Sequence, residues 1–135
     1  MKLYWPESGS HEFNRTVEGR DDLLVSDLAV TETISALSRR MREGATTPEA
    51  IHRVQQAIVA RLAGGSGQRV ELTRQTHRQA EYLLVTLTAT PLRAADALHL
   101  ALATSARAAS MASFDVRLRA AARAVGLAIY PPAEA

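Results

Sequence analysis

Asp96 lies in the apolar stretch Leu92–Arg93–Ala94–Ala95–Asp96–Ala97–Leu98–His99–Leu100–Ala101, and Asp115 closes the segment Met111–Ala112–Ser113–Phe114–Asp115. A carboxylate beside core-like residues is expensive to leave unpaired: it shifts its pKa, pairs with a cation or binds a metal. A third acid, Glu32, follows the apolar run Leu23–Leu24–Val25 on a helical pattern. Oxygen donors brought from distant parts of a chain suit Mg²⁺ or Mn²⁺, which hold a scissile phosphate and activate water. The same positions also suit acids that complement helix dipoles, and spacing alone leaves both readings open. Asp22 and Asp27 fit the second, as a loop charge and a helix cap. His99 stands one helical turn after Asp96, placed to support it, to act as a base, or to sit hydrogen-bonded in the core or at its rim.

Other chemistries are excluded. The chain has no cysteine, so thiol nucleophiles, zinc–thiolate sites and redox switches are absent. The histidines show no metal-binding spacing, and no nucleophile-elbow motif is present. Gly64–Gly65–Ser66–Gly67 follows a helical pattern and precedes a strand pattern, the wrong context for a phosphate loop, so it reads as a linker turn.

The elements that must position these residues alternate. Leu23–Leu24–Val25 predicts a strand, and Ser26–Asp27 offers a side-chain oxygen to cap the helix carrying Leu28, Ala29, Ile34, Leu37 and Met41, which ends near Gly44. Thr46–Thr47–Pro48–Glu49 opens a second helix, with Ile51, Val54, Ile58 and Leu62 on one face. Val70–Glu71–Leu72–Thr73 predicts a strand, and Ala80, Leu83, Leu84 and Leu87 one face of a third helix before the break at Thr90–Pro91. After the Asp96 helix come a weak strand at 109–113, a helix through Leu118, Ala121, Ala122 and Val125 to Gly126, and a last strand at Leu127–Tyr130. This is the alternation of an α/β domain with a parallel sheet, whose ligands collect at the carboxyl ends of the strands.

A length of 135 residues predicts a single domain, 1–135, able to bury a core without disulfides. No apolar run approaches the ~20 residues of a membrane span, and the N-terminus lacks the blocks of a signal peptide, so no membrane association and a cytoplasmic location are expected. The net charge is only +2, but Lys2 is the sole lysine among 16 cations. Arginine suits bidentate phosphate contacts, and GC-rich coding produces the same bias. Arg39, Arg40 and Arg42 are candidates to guide RNA or meet an acidic partner, or they form a solvated helix end.

The strings LVSDLAVTETISAL, LRAADALHLALA and SFDVRLRAAARAVGL resemble the second, third and fourth acidic-motif regions of PIN-domain ribonucleases of the VapC toxin type, in the same order and over nearly the whole chain. The resemblance implies a three-layer α/β/α fold with a parallel sheet. It also implies endoribonuclease activity dependent on Mg²⁺ or Mn²⁺, homodimerisation, and neutralisation by a small antitoxin protein. Glu32, Asp96 and Asp115 correspond to the family's catalytic, metal-holding acids. Ser113 takes the place of the small hydroxyl residue in the last motif.

The chain departs from the family at its start. Family members open with an apolar central strand ending in an Asp, then a helix reading like Lys–Leu–Tyr; here Met1 stands directly before Lys2–Leu3–Tyr4–Trp5–Pro6–Glu7. The first, central strand and its Asp are therefore expected to be missing. A central strand contributes on the order of 5–10 kcal/mol of apolar burial, against a total domain stability of about 5–15 kcal/mol. A start site set too far downstream, a decayed gene, or an N-terminal segment that pairs differently would each account for this. The rival to a nuclease is a degenerate, non-catalytic PIN domain that binds antitoxin or RNA without cutting.

Overall fold

The structure, a computed structural model, describes residues 3–4, 21–64, 67–113 and 115–130. In chain order these form β1 (Leu3–Tyr4), β2 (Leu23–Ser26), α1 (Asp27–Arg42), α2 (Pro48–Ala63), β3 (Gly67–Val70), α3 (Arg74–Thr86), α4 (Ala94–Ser105), β4 (Ser110–Ala112), α5 (Val116–Ala124) and β5 (Ala128–Tyr130). All strands are parallel and lie in the order β3-β2-β1-β4-β5.

The centre of the sheet is Leu3–Tyr4, so the expected gap there is filled. Leu3 and Tyr4 register with Leu23 and Leu24 on one side and with Ser110 and Met111 on the other, and Leu3 N–H donates to the Asp22 carbonyl at 2.9 Å. Both side chains are fully buried. Successive strand residues point to opposite faces, so even two residues serve both core layers. The segment expected as a helix, by likeness to Lys–Leu–Tyr, therefore takes the strand position.

The sheet divides the core into two layers. Leu24, Tyr4 and Met111 lie in one row across the sheet, with Ile129 beside them, and pack with Ala80, Leu83, Leu100, Leu102, Leu118 and Ala121 of α3, α4 and α5. Leu3, Leu23 and Ala112 form the smaller cluster, with Tyr130 against it. On that side Val25 shares an apolar cleft with Ala29 and Val30 of α1 and Ile58 and Leu62 of α2.

Local signals set the helix ends. Ser26, Thr47, Thr73 and Asp115 are N-caps whose side chains accept backbone N–H groups of the first turn. Gly44 and Gly126 take left-handed φ values of +76° and +86° just past α1 and α5, as a C-terminal cap requires. Two boundaries differ from expectation. The third strand is Gly67–Val70 rather than Val70–Thr73, because it is an edge strand paired only with β2 and tolerates the exposed Gln68 and Arg69. Residues 71–73 instead lead into α3. The buried face of α3 is Thr76, Ala80 and Leu83, while Leu84 is exposed and Leu87 lies just past the helix end.

Candidate functional site

The parallel sheet fixes where the acids stand. α1 leaves the carboxyl end of β2 and α5 that of β4. The short loop 106–109 joins α4 to the amino end of β4, so α4 begins at the carboxyl end of the sheet. Glu32 in the second turn of α1, Asp96 in the first turn of α4 and Asp115 at the start of α5 therefore share one rim.

At the centre of this rim four side chains form a hydrogen-bonded chain. The Tyr4 hydroxyl lies 2.9 Å from Ser26 Oγ and 2.6 Å from His99 Nδ1. The Tyr4 and His99 rings meet edge-on, 5.7 Å apart at 63°. On its other side His99 Nε2 is hydrogen-bonded to Glu32 Oε1. Tyr4 and Ser26 are fully buried and His99 is 5% exposed, whereas the Glu32 side chain is 43% exposed. The chain thus runs from the core outward to a carboxylate in water. Burial is the main cause that pushes the Tyr4 phenol far above its usual range; the Ser26 hydrogen bond opposes this and the Glu32 charge adds to it.

Asp96 is half-buried, and its Oδ2 accepts the Arg93 N–H at 3.0 Å. It lies one turn before His99 and so on the same side of α4. The Glu32–His99 bond therefore brings α1 against α4 one turn from Asp96. Asp115 is exposed and caps α5, with Oδ1 accepting from Arg117 N at 2.9 Å and Leu118 N at 3.1 Å. Beneath it Ser113 is fully buried; its Oγ accepts the Asp115 N–H at 3.0 Å and its carbonyl accepts from Arg119 Nη1 at 2.7 Å.

The donor chemistry fits a hard divalent cation. Each of the three carboxylates uses one oxygen in the bonds above and has no other hydrogen bond among the described residues for its second oxygen. Among the described residues no group of three or more His, Cys, Asp or Glu forms a ready cage. Mg²⁺ does not require one, since it keeps several waters and is commonly held by one or two carboxylates plus substrate phosphates.

The remaining candidates lie elsewhere. Arg39, Arg40 and Arg42 are exposed in the last turn of α1, at the end of the helix away from the acids, where they complement its dipole. Asp27 is not the cap of α1; Ser26 is. Asp27 pairs instead with Arg69 Nε at 2.5 Å and accepts the Leu72 N–H at 3.2 Å, tying the end of β3 to α1. The Arg69 hydrogen bond is the main cause that holds its carboxyl below the usual range.

Tyr4 is the member of this cluster that the sequence did not single out, and Ser26 was legible only as a cap. The available signal was a hydroxyl-bearing ring in a strand buried on both faces, which needs a polar partner.

Two comparisons bear on the chain. A family model described as PIN domain matches residues 3–124. A search of curated proteins finds no match. No helix among the described residues is long and apolar enough to cross a membrane.

Proposed function

The chain belongs to the PIN-domain family, and from that premise we propose that it is a divalent-metal-dependent endoribonuclease of the VapC toxin type, restrained by a small antitoxin protein and acting as a homodimer. PIN domains are typically metal-dependent nucleases. The observation that carries the reading here is the Glu32–His99 hydrogen bond, which holds an exposed carboxylate one helical turn from Asp96.

Mg²⁺ or Mn²⁺, held by Glu32, Asp96 and Asp115 directly or through water, would supply an activated water and offset charge on the leaving oxygen. The chain's own residues do the placing. Arg93 N–H fixes one oxygen of Asp96, the α5 backbone fixes one oxygen of Asp115, and His99 fixes one oxygen of Glu32. In each case the second oxygen is left for a ligand. Ser113 orders the turn before Asp115.

A cleavage assay on labelled RNA with Mg²⁺ or Mn²⁺, a chelator control and Asp96→Asn tests this. Cutting that needs the metal and disappears in the variant supports it. The second reading, a non-catalytic PIN domain that binds antitoxin or RNA, is favoured by the composition of the described β1, Leu3–Tyr4, which carries no acid. Metal-independent partner binding with no cutting would decide for it. Growth arrest on expression, relieved by a co-expressed small protein, tests the toxin role.

A further inference from the structure

Resting on the nuclease reading, we infer that Arg119 is a positioning residue for Asp115. Its guanidinium braces the end of β4 against the first turn of α5, and that brace sets where the Asp115 carboxylate stands on the rim.

The hydrogen bonds carry this. The cap ties Asp115 to α5, with Arg117 N–H and Leu118 N–H on Oδ1, and Leu118, Ala121 and Ala122 seat the helix in the core. The polar link from the first turn of α5 to the sheet is made at Ser113. The Ser113 N–H donates to the Tyr130 carbonyl of β5 at 3.1 Å, so this residue is fixed to the end of the sheet. Its Oγ accepts the Asp115 N–H at 3.0 Å, and its carbonyl accepts from Arg119 Nη1 at 2.7 Å. The Arg119 N–H in turn donates to the Asp115 carbonyl at 2.9 Å. One residue thus holds the loop at both ends, by its main chain at Asp115 and by its side chain at Ser113.

The residue type suits the task. Ser113 is fully buried, so its carbonyl is cut off from bulk water and needs a donor from the protein. Arg119 is half-buried and combines a long apolar stem with a charged donor, which bonds a carbonyl more strongly than a neutral one does. Asp115 and Arg119 also stand four residues apart, the spacing of a helical ion pair. The guanidinium instead reaches back to the Ser113 carbonyl. It therefore steadies Asp115 without taking up the carboxylate oxygen that a metal would use, which is the part of a residue that orients a ligand from behind.

Amide exchange on the parent protein is the first test. Asp115 is exposed, yet its N–H should exchange about 10-fold or more below the open-chain rate, because the brace keeps it on Ser113 Oγ. An open-chain rate overturns the inference. Arg119→Met keeps the stem and removes the donor and the charge. It should return the Asp115 amide toward the open-chain rate and weaken Mn²⁺ affinity, measured by titration calorimetry, about 10-fold. The sign is diagnostic: by charge alone, taking a cation from beside a metal site strengthens Mn²⁺ binding, so unchanged or tighter binding overturns the inference. Arg119→Lys keeps a charged donor on a stem of similar reach and should bind Mn²⁺ within about threefold of the parent. A Lys variant as weak as the Met variant overturns the inference as well. If the Met variant does not fold, the parent's exchange rate decides. A parent protein that neither binds Mn²⁺ nor cuts RNA defeats the nuclease reading instead, and the exchange rates of parent and variant still decide the brace.

Discussion

His99 of α4 and Glu32 of α1, 67 residues apart in the chain, share a hydrogen bond at the carboxyl rim of the sheet. The bond joins α1 to α4, and through it the buried Tyr4–His99 pair reaches a candidate ligand. Glu32→Gln keeps an oxygen to accept the His99 N–H and removes only the charge. The fold should therefore hold, with stability changed by less than about 1 kcal/mol. Metal-dependent cleavage should fall at least about 10-fold, since the lost charge is the part a divalent cation uses. Thermal unfolding measured beside the cleavage assay checks both halves.

Asp115 serves two purposes that separate cleanly. It caps α5 through Arg117 N and Leu118 N. Asp115→Ala should cost about 1 kcal/mol in stability and lose metal-dependent cleavage as well. Asp115→Asn restores a capping oxygen, so its denaturation midpoint should return close to the parent's while cleavage stays lost. An Asn variant that cuts normally would remove Asp115 from the site.

Much of this arrangement was legible before the structure because local chemistry decides it. Ser26 before an amphipathic run, Thr47 before Pro48, and glycines at 44 and 126 each mark a helix end, and the structure puts the ends there. The placement of Glu32, Asp96 and Asp115 at the carboxyl rim follows from a parallel sheet alone. What the sequence hid were pairings that depend on partners far along the chain. β3 is an edge strand with polar residues and no period-2 signal, so its register comes from β2 rather than from its own pattern. Leu3–Tyr4 is too short to announce a strand, and its central place comes from the neighbours Leu23–Leu24 and Ser110–Met111. The Tyr4–His99 contact depends on that register and was invisible for the same reason.

The Asp27–Arg69 pair gives a pH dependence of defined sign. Asp27 is held below the usual carboxylate range, chiefly by the Arg69 hydrogen bond. A carboxyl depressed in the folded state contributes stability that is fully present above its unfolded value, near ~3.9, and is lost as pH falls through the lower folded value. The pair is half-exposed on the Arg69 side, so the contribution should stay under about 1 kcal/mol. Asp27→Asn should remove it. Urea midpoints at pH 6 and pH 3 should then converge slightly more in the variant than in the parent.

Arg107 adopts a left-handed φ of 58° in the loop that joins α4 to β4. The Ala108 N–H returns to the Ala103 carbonyl at 2.9 Å, the closing bond of a helix C-terminal cap, so Arg107 occupies a position that glycine normally fills. The backbone cost for a residue with a Cβ there is on the order of 1 kcal/mol. Arg107→Gly should stabilise the protein by no more than roughly 0.5 kcal/mol once the added freedom of the unfolded chain is deducted. A lower denaturation midpoint for the variant would mean that the arginine side chain makes up for the strain through its contacts.

The arginines at the end of α1 provide a test of where RNA meets the protein. Arg39, Arg40 and Arg42 are exposed in the last turn. The helix rises about 1.5 Å per residue, so Arg40 lies about 12 Å along the axis from Glu32. That is too far for a phosphate held at the acids to reach them, but within range of a longer strand or of an acidic protein surface. Replacing all three with Gln should leave cleavage of a short oligonucleotide within about twofold of the parent, because surface charges beyond a Debye length of about 8–10 Å are largely screened. The same variant should weaken binding to a long RNA or an acidic partner, with a shallower dependence of log affinity on log salt. Since basic side chains at a helix C-terminus complement the dipole, the triple variant should also lose about 0.3–1 kcal/mol of stability per effective charge at low salt. If short-substrate cleavage instead drops tenfold in a variant that stays folded, the substrate path crosses this end of α1, and the acids at the rim are not its only anchor.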